Sequence, residues 1–215
     1  MKLVFYGDSL TSGENNNFIS FVDKLSEMGY DVTKIGVSGT TIGEYSLYPV
    51  DGFSLLNQLR EEEFIGSDYV FLEYGLNDSA VVSVGKINTL IPLLELRKRI
   101  DFIRQKSPDT KIVFLSAGTI YHAFAAAQEA YLYHDYLKDI KQFLPECCAT
   151  VASTYEIICK GAAAYCDYVC QMFKEGQYIS PILDDDCLHP NDKGYKIIAE
   201  NVSEFIVNME KRKWR

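Results

Sequence analysis

The chain has 215 residues, 47% of them apolar and 24% charged, a composition that suits a globular protein able to bury a core without crosslinks. Its formal net charge of −9 argues against nucleic acid as a partner, because phosphate contacts need clustered Lys and Arg. No window holds the roughly 18 unbroken apolar residues of a membrane span, since even Ile87 to Ile103 is interrupted by Glu95, Arg97, Lys98, Arg99 and Asp101.

Along the chain, short apolar runs alternate with longer amphipathic stretches, the pattern of parallel strands joined by crossover helices. The opening run, Lys2–Tyr6, is too short for a signal-peptide core and meets Gly7-Asp8 at once, so it reads as a strand. The expected location is the cytoplasm, with secretion open only to a chain that has lost a leader. Phe18, Phe21, Val22 and Leu25 follow at helical spacing, with Gly29 as the stop. Strands are expected at Asp31–Gly36, Tyr69–Tyr74 and Lys111–Ser116, and a fifth at Tyr165–Cys170. Leu90, Leu93, Leu94, Ile100 and Ile103 predict a helix that ends ahead of Ser107-Pro108, and another is expected from Gln128 to Phe143, ending before Pro145. The last helix follows His189-Pro190, with Tyr195, Ile198, Val202, Phe205 and Met209 as its apolar stripe and Asn191 or Asp192 as N-cap. Residues 1–215 therefore read as a single α/β domain built on a five-stranded parallel sheet, with no repeat or linker. The six cysteines fall late and mostly in apolar segments, as free thiols would. Cys166 and Cys170 lack a matching pair of ligands nearby, so neither a metal nor a cofactor is expected.

In an open parallel sheet, ligands sit beyond the carboxyl ends of the strands. Three of those ends carry glycine turns with small polar groups: Gly7-Asp8-Ser9-Leu10, Gly36-Val37-Ser38-Gly39-Thr40-Thr41 and Gly75-Leu76-Asn77-Asp78. A serine becomes a useful nucleophile when a base removes its proton, when that base is held in the right tautomer, and when donors await the oxyanion. Ser9 sits in a tight turn at the end of the first strand. Asp186-Cys187-Leu188-His189 places a carboxylate and an imidazole three residues apart, whereas His122 and His134 have no carboxylate similarly poised. Each residue also has a plainer reading: Ser9 as a helix N-cap, Asn77 as a turn residue, Asp184-Asp185-Asp186 as a solvated acidic run. Their joint occurrence favours the catalytic reading. The nucleophile elbow Gly-x-Ser-x-Gly is not met, because Thr11 stands where the second glycine belongs.

These four blocks, in this order and spread over nearly the whole chain, resemble those of the GDSL or SGNH hydrolase family. One departure is Lys34, where many relatives open the second block with Asn. The resemblance implies a flavodoxin-like three-layer α/β/α sandwich with strand order 2-1-3-4-5. It also implies a triad of Ser9, His189 and Asp186, and an oxyanion hole made by the backbone N–H groups of Ser9 and Gly39 with the side-chain amide of Asn77.

The expected activity is hydrolysis of small-molecule carboxylic esters, with short-chain acyl or acetyl esters first. Lysophospholipid or thioester hydrolysis, or acyl transfer, is the rival within the same chemistry, and a noncatalytic small-ligand binding module is the rival outside it. Tyr45, Tyr48, Phe53, Tyr121, Phe124, Tyr178, Ile179 and Ile182 are candidates to line the pocket. Nothing in the sequence speaks to oligomeric state.

Overall fold

The computed structural model describes residues 1–45, 54–83, 85–117, 144–175, 177, 182–184 and 189–213, with 144–148 and 213 described as backbone alone. In chain order the elements are β1 (Lys2–Gly7), α1 (Ser9–Ser12), a 3-10 turn (Glu14–Asn16), α2 (Phe21–Glu27), β2 (Asp31–Gly36), α3 (Leu55–Gln58) and α4 (Glu61–Phe64). After them come β3 (Tyr69–Glu73), α5 (Leu76–Ser83), α6 (Leu90–Lys106), β4 (Lys111–Ser116), α7 (Leu144–Tyr165), β5 (Tyr168–Gln171) and α8 (Asp192–Lys213). The five strands form one parallel sheet in the order β2-β1-β3-β4-β5, as expected for this α/β fold.

Alternation along the strands builds the layers. Leu3 and Phe5 of β1 point to one face, where Phe71, Val113 and Leu115 meet Phe21, Val22 and Leu25 of α2 and Tyr195, Ile198, Val202 and Ile206 of α8. Phe5 lies at the heart of this layer, stacked on Phe71 at 4.4 Å and meeting Phe21 edge-on at 5.7 Å. Val4 and Tyr6 point the other way, with Val70, Leu72, Ile112 and Phe114, against Leu96, Ile100 and Ile103 of α6 and Ile158 and Ala162 of α7. Each fully buried side chain of this size contributes roughly 1.5–3 kcal/mol, so the two apolar layers hold the sheet. Among the described residues, no helix is long and apolar enough to cross a membrane.

Two expectations are corrected. Phe18 is not part of the first amphipathic helix: it is 65% exposed with a left-handed φ of 61°, because a capping box of Ser20 and Asp23 starts α2 at Phe21. The region from Gln128 to Phe143, with the helix expected there, lies outside the described residues, while Pro145 stands in the first turn of α7. It is the second residue of α7, where the N–H it lacks would have no partner anyway. The fifth strand begins at Tyr168, not Tyr165, since α7 runs on to Tyr165 and Cys166 N still bonds Ala162 O at 2.9 Å. Asp167 then docks on β4, donating N–H to Ile112 O at 2.9 Å and accepting from Ile112 N at 2.8 Å. Cys159, Cys166 and Cys170 are free thiols, and burial pushes Cys166 and Cys170 up to about 12.

At the carboxyl end of β2, Gly36 brings the sheet directly against α1. A Cβ there would come within 2.5 Å of Ser12 N and 2.8 Å of Thr11 C, both backbone atoms that cannot step aside alone. Gly36→Ala is therefore expected to destabilise the protein by about 1–3 kcal/mol and displace α1. Thermal denaturation checks this, and an unchanged melting temperature would contradict the close packing.

Candidate active site

Asp8 builds the turn that presents Ser9. Its carboxylate caps α1 by accepting from Leu10 N at 3.1 Å, its carbonyl accepts from Ser12 N at 2.9 Å, and Gly13 closes the helix in a left-handed conformation. The half-buried Ser9 hydroxyl then lies 2.8 Å from Nε2 of His189, 180 residues further along the chain.

His189 is held by a loop that closes on itself. Leu183 and Pro190 form an antiparallel bridge, Asp184 N donates to His189 O at 2.8 Å, and Asn191 N donates to Ile182 O at 2.9 Å. Asn191 is the N-cap, as the sequence allowed: its side-chain oxygen accepts from Lys193 N and Gly194 N, at 3.1 and 3.2 Å. Asp186, which that same loop carries, lies outside the described residues. At Nδ1, His189 meets the Asn15 amide at 2.9 Å. For Nε2 to accept the Ser9 proton, Nδ1 must carry hydrogen and face an acceptor, a role open to a carboxylate or to the oxygen of Asn15.

A single amide draws the other loops together. Asn77 Nδ2 donates to Asp8 Oδ2 at 3.0 Å and to Thr40 O at 3.1 Å, joining the loops that follow β1, β2 and β3. Both of its N–H groups are thereby engaged, so an oxyanion seated beside it would share one of them with Asp8 or Thr40. Gly39, immediately before Thr40, has a φ of 77°, which a residue without Cβ adopts freely. Gln58 repeats the bracing one layer deeper: its Nε2 donates to Gly7 O and Thr40 Oγ1, each at 3.2 Å, and its oxygen accepts from Tyr74.

Two of the proposed pocket residues have other duties. The Tyr45 hydroxyl donates to Asp78 Oδ1 at 2.6 Å, and Ile182 is buried in the core beside α8, while Tyr48, Phe53, Tyr121, Phe124, Tyr178 and Ile179 lie outside the described residues. Sequence reasoning missed Asn15, Gln58 and Glu73. Asn15 sits in an Asn-Asn-Asn run that reads as a turn, and Gln58 in a four-residue helix with no periodicity. Glu73 did carry a signal, being the one charge in the apolar run Tyr69–Tyr74. Among the described residues, no three His, Cys, Asp or Glu side chains form a group able to hold a metal ion.

The GDSL-like lipase/acylhydrolase family model matches residues 5–197. Among solved structures, an acetyl xylan esterase, AlAXEase, is 17% identical with a TM-score of 0.63, over 96% of this chain and 100% of that one. A family two carbohydrate esterase from Clostridium thermocellum in complex with cellohexaose is 15% identical with a TM-score of 0.63, over 100% of this chain and 65% of that one. The psychrotrophic esterase EstA from Pseudoalteromonas sp. is 15% identical with a TM-score of 0.59, over 98% of each chain. At these identities the likeness is one of fold. No curated protein matches the sequence.

Three carboxyl groups lie buried beneath the loops: Asp8, Glu73 and Asp78. Burial is the largest influence on each and pushes all three up, because a charge loses more solvation than a neutral acid. Asp78 reaches about 7 because burial outweighs the bonds that it accepts from Ile42 N at 3.0 Å and from Tyr45; its second oxygen has no hydrogen-bond partner. An acid whose folded value is raised lends stability that is complete below its unfolded value and is lost as pH rises through the folded one. For Asp78 the loss spans the interval from the ordinary value of 3.8 to about 7 and amounts to a few kcal/mol, on the order of 1.4 per unit. Asp78→Asn, permanently neutral, is expected to melt above wild type at about pH 8.5 and to lose that advantage at about pH 4. Melting curves across this range check it, and a pH-independent difference would contradict it.

Proposed function

The chain belongs to the GDSL-like lipase/acylhydrolase family, and from that premise we propose that this carboxylic ester hydrolase works as a serine esterase with Ser9 as nucleophile, His189 as base and Asp186 as the acid that orients it. The observation that carries the reading is the 2.8 Å contact between the Ser9 hydroxyl and His189 Nε2, made by residues at opposite ends of the chain. That distance is within hydrogen-bond reach for direct proton transfer.

Ser9 Oγ attacks the ester carbonyl carbon while His189 Nε2 takes the hydroxyl proton. Negative charge gathers on the former carbonyl oxygen, facing the N–H groups of Ser9 and Gly39 and a share of the Asn77 amide. The carbon–oxygen bond to the alcohol breaks, and His189 returns its proton to the departing oxygen. Water, deprotonated by the same imidazole, attacks the acyl-enzyme and releases the acid with Ser9 restored. Acetyl and other short-chain acyl esters, including acetylated carbohydrates, are the substrates we propose. Support comes from the fold shared with an acetyl xylan esterase and a carbohydrate esterase.

Hydrolysis of p-nitrophenyl acetate, butyrate and octanoate by wild type and Ser9→Ala tests the reading. The variant is expected to lose about four to six orders of magnitude in kcat, with wild type fastest on the shorter esters. Equal rates in the two folded proteins would remove Ser9 from the role, and a preference for octanoate would overturn the short-chain assignment. Asn77→Ala is expected to lower kcat about 100- to 1000-fold, and a loss under about tenfold would remove the amide from the oxyanion hole.

A further inference from the structure

Behind Ser9, Asp8 and Glu73 face one another in full burial, 1% and 0% exposed. Glu73 is the last residue of β3, paired in register with Gly7 of β1. Its Oε2 accepts from Asp8 N at 3.3 Å and from the Thr11 hydroxyl at 3.1 Å, so it grips α1 from both sides of the nucleophile. With Asp8 N this close to Glu73 Oε2, the two buried carboxyl groups lie within reach of one another. Two carboxylates offer only acceptors, so a hydrogen bond between them requires that one carry a proton. Glu73 is the suited holder, because its Oε1 meets no donor, whereas both Asp8 oxygens accept, from Leu10 N and from Asn77 Nδ2. Asp8, the better-solvated partner in hydrogen-bond terms, keeps the negative charge.

We propose that Asp8 and Glu73 share a single proton, held mainly on Glu73, and that this pair is the positioning element for the reaction, aiming the Asn77 amide and fixing the Ser9 turn. The inference rests on the reading of Ser9 and Asn77 given above. Asp8 competes with the oxyanion for one Asn77 N–H, and the hydrogen bond from Glu73 withdraws charge from Asp8, leaving that N–H easier to share. Loss of the shared proton sets two carboxylates against each other under the nucleophile, which raises the barrier at alkaline pH. Among the described residues, the other titratable groups that act on the pair are Tyr74 after β3, Asp78 on α5, Tyr155 on α7 and His189; on β2, Lys34 is committed to Asp23 at 2.6 Å. Burial favours the neutral form of both acids, and His189 helps Asp8 to be the charged one.

Infrared difference spectra and kinetics of the whole protein test the proposal. Recorded at about pH 8.5, where Asp78 is ionised, wild type is expected to show the C=O stretch of a protonated carboxylic acid that is missing from Glu73→Gln. No such band in wild type would overturn the shared proton. Glu73→Gln, a neutral donor of the same shape, is expected to keep kcat within about tenfold and to lose the alkaline decline, whereas Glu73→Ala drops kcat about a hundredfold or more with KM little changed. A folded Glu73→Gln as inactive as Glu73→Ala, or one with the wild-type alkaline limb, would overturn the positioning role. If Glu73→Ala fails to fold, the alkaline limb of Glu73→Gln decides. Should wild type hydrolyse no ester, the active-site reading is what fails, and the infrared band together with the Asn77 side-chain amide NMR signals, expected unchanged in Glu73→Gln and shifted in Asp8→Asn, still judges the pair.

Discussion

The hydrogen bond from Asn77 Nδ2 to Asp8 Oδ2 is the contact on which the rest of the site depends. Leaving an oxygen of a buried carboxylate without a donor costs several kcal/mol. Asp8 finds its partners in three directions: its carboxylate accepts from Leu10 N on α1 and from the Asn77 amide, and its own N–H donates to Glu73 beneath. Because the same Asn77 amide also reaches Thr40 O, satisfying one buried acid places the loops after β1, β2 and β3 relative to each other.

This polar layer divides the labour with the apolar ones. The clusters on the two faces of the sheet hold β1 between β2 and β3 but are indifferent to where a hydroxyl points, since dispersion and water exclusion carry little direction. Hydrogen bonds supply the direction. Gln58 secures Gly7, Thr40 and Tyr74 to each other, and Gly36 lets the strand end touch α1, so Ser9 stands on a base braced from both neighbouring strands. His189 reaches the site from outside the sheet. Its loop is closed by the Leu183–Pro190 bridge and continues into α8, which is packed on the α2 side and tied there by Lys24 to Asp192 at 2.6 Å.

Much of the fold was legible because period-2 and period-3.6 apolar patterns are local properties of the chain. The first four strands, the α6 helix and α8 fall where those patterns put them. What escaped was set by competition between local signals. Val151, Tyr155, Ile158 and Ala162 lie at helical spacing in α7 and are buried, yet Pro145 ahead of them reads as a terminator when it is a first-turn residue. Phe18 has the right spacing for α2, but the capping box two residues later outbids it.

For the site, the sequence by itself determined which groups are available: a serine after a strand, an asparagine in a third strand-end turn, and a histidine ahead of a capped helix. These are short motifs whose chemistry is contained in their own residues. Only the tertiary structure decided that Ser9 and His189 meet at 2.8 Å, that Asn15 faces the far side of the imidazole, and that Glu73 lies under Asp8. The physical reason is that the protonation state and direction of a polar group depend on what surrounds it in space. Those surroundings come from residues tens to nearly two hundred positions away, brought close by the packing of two apolar layers that no local pattern encodes.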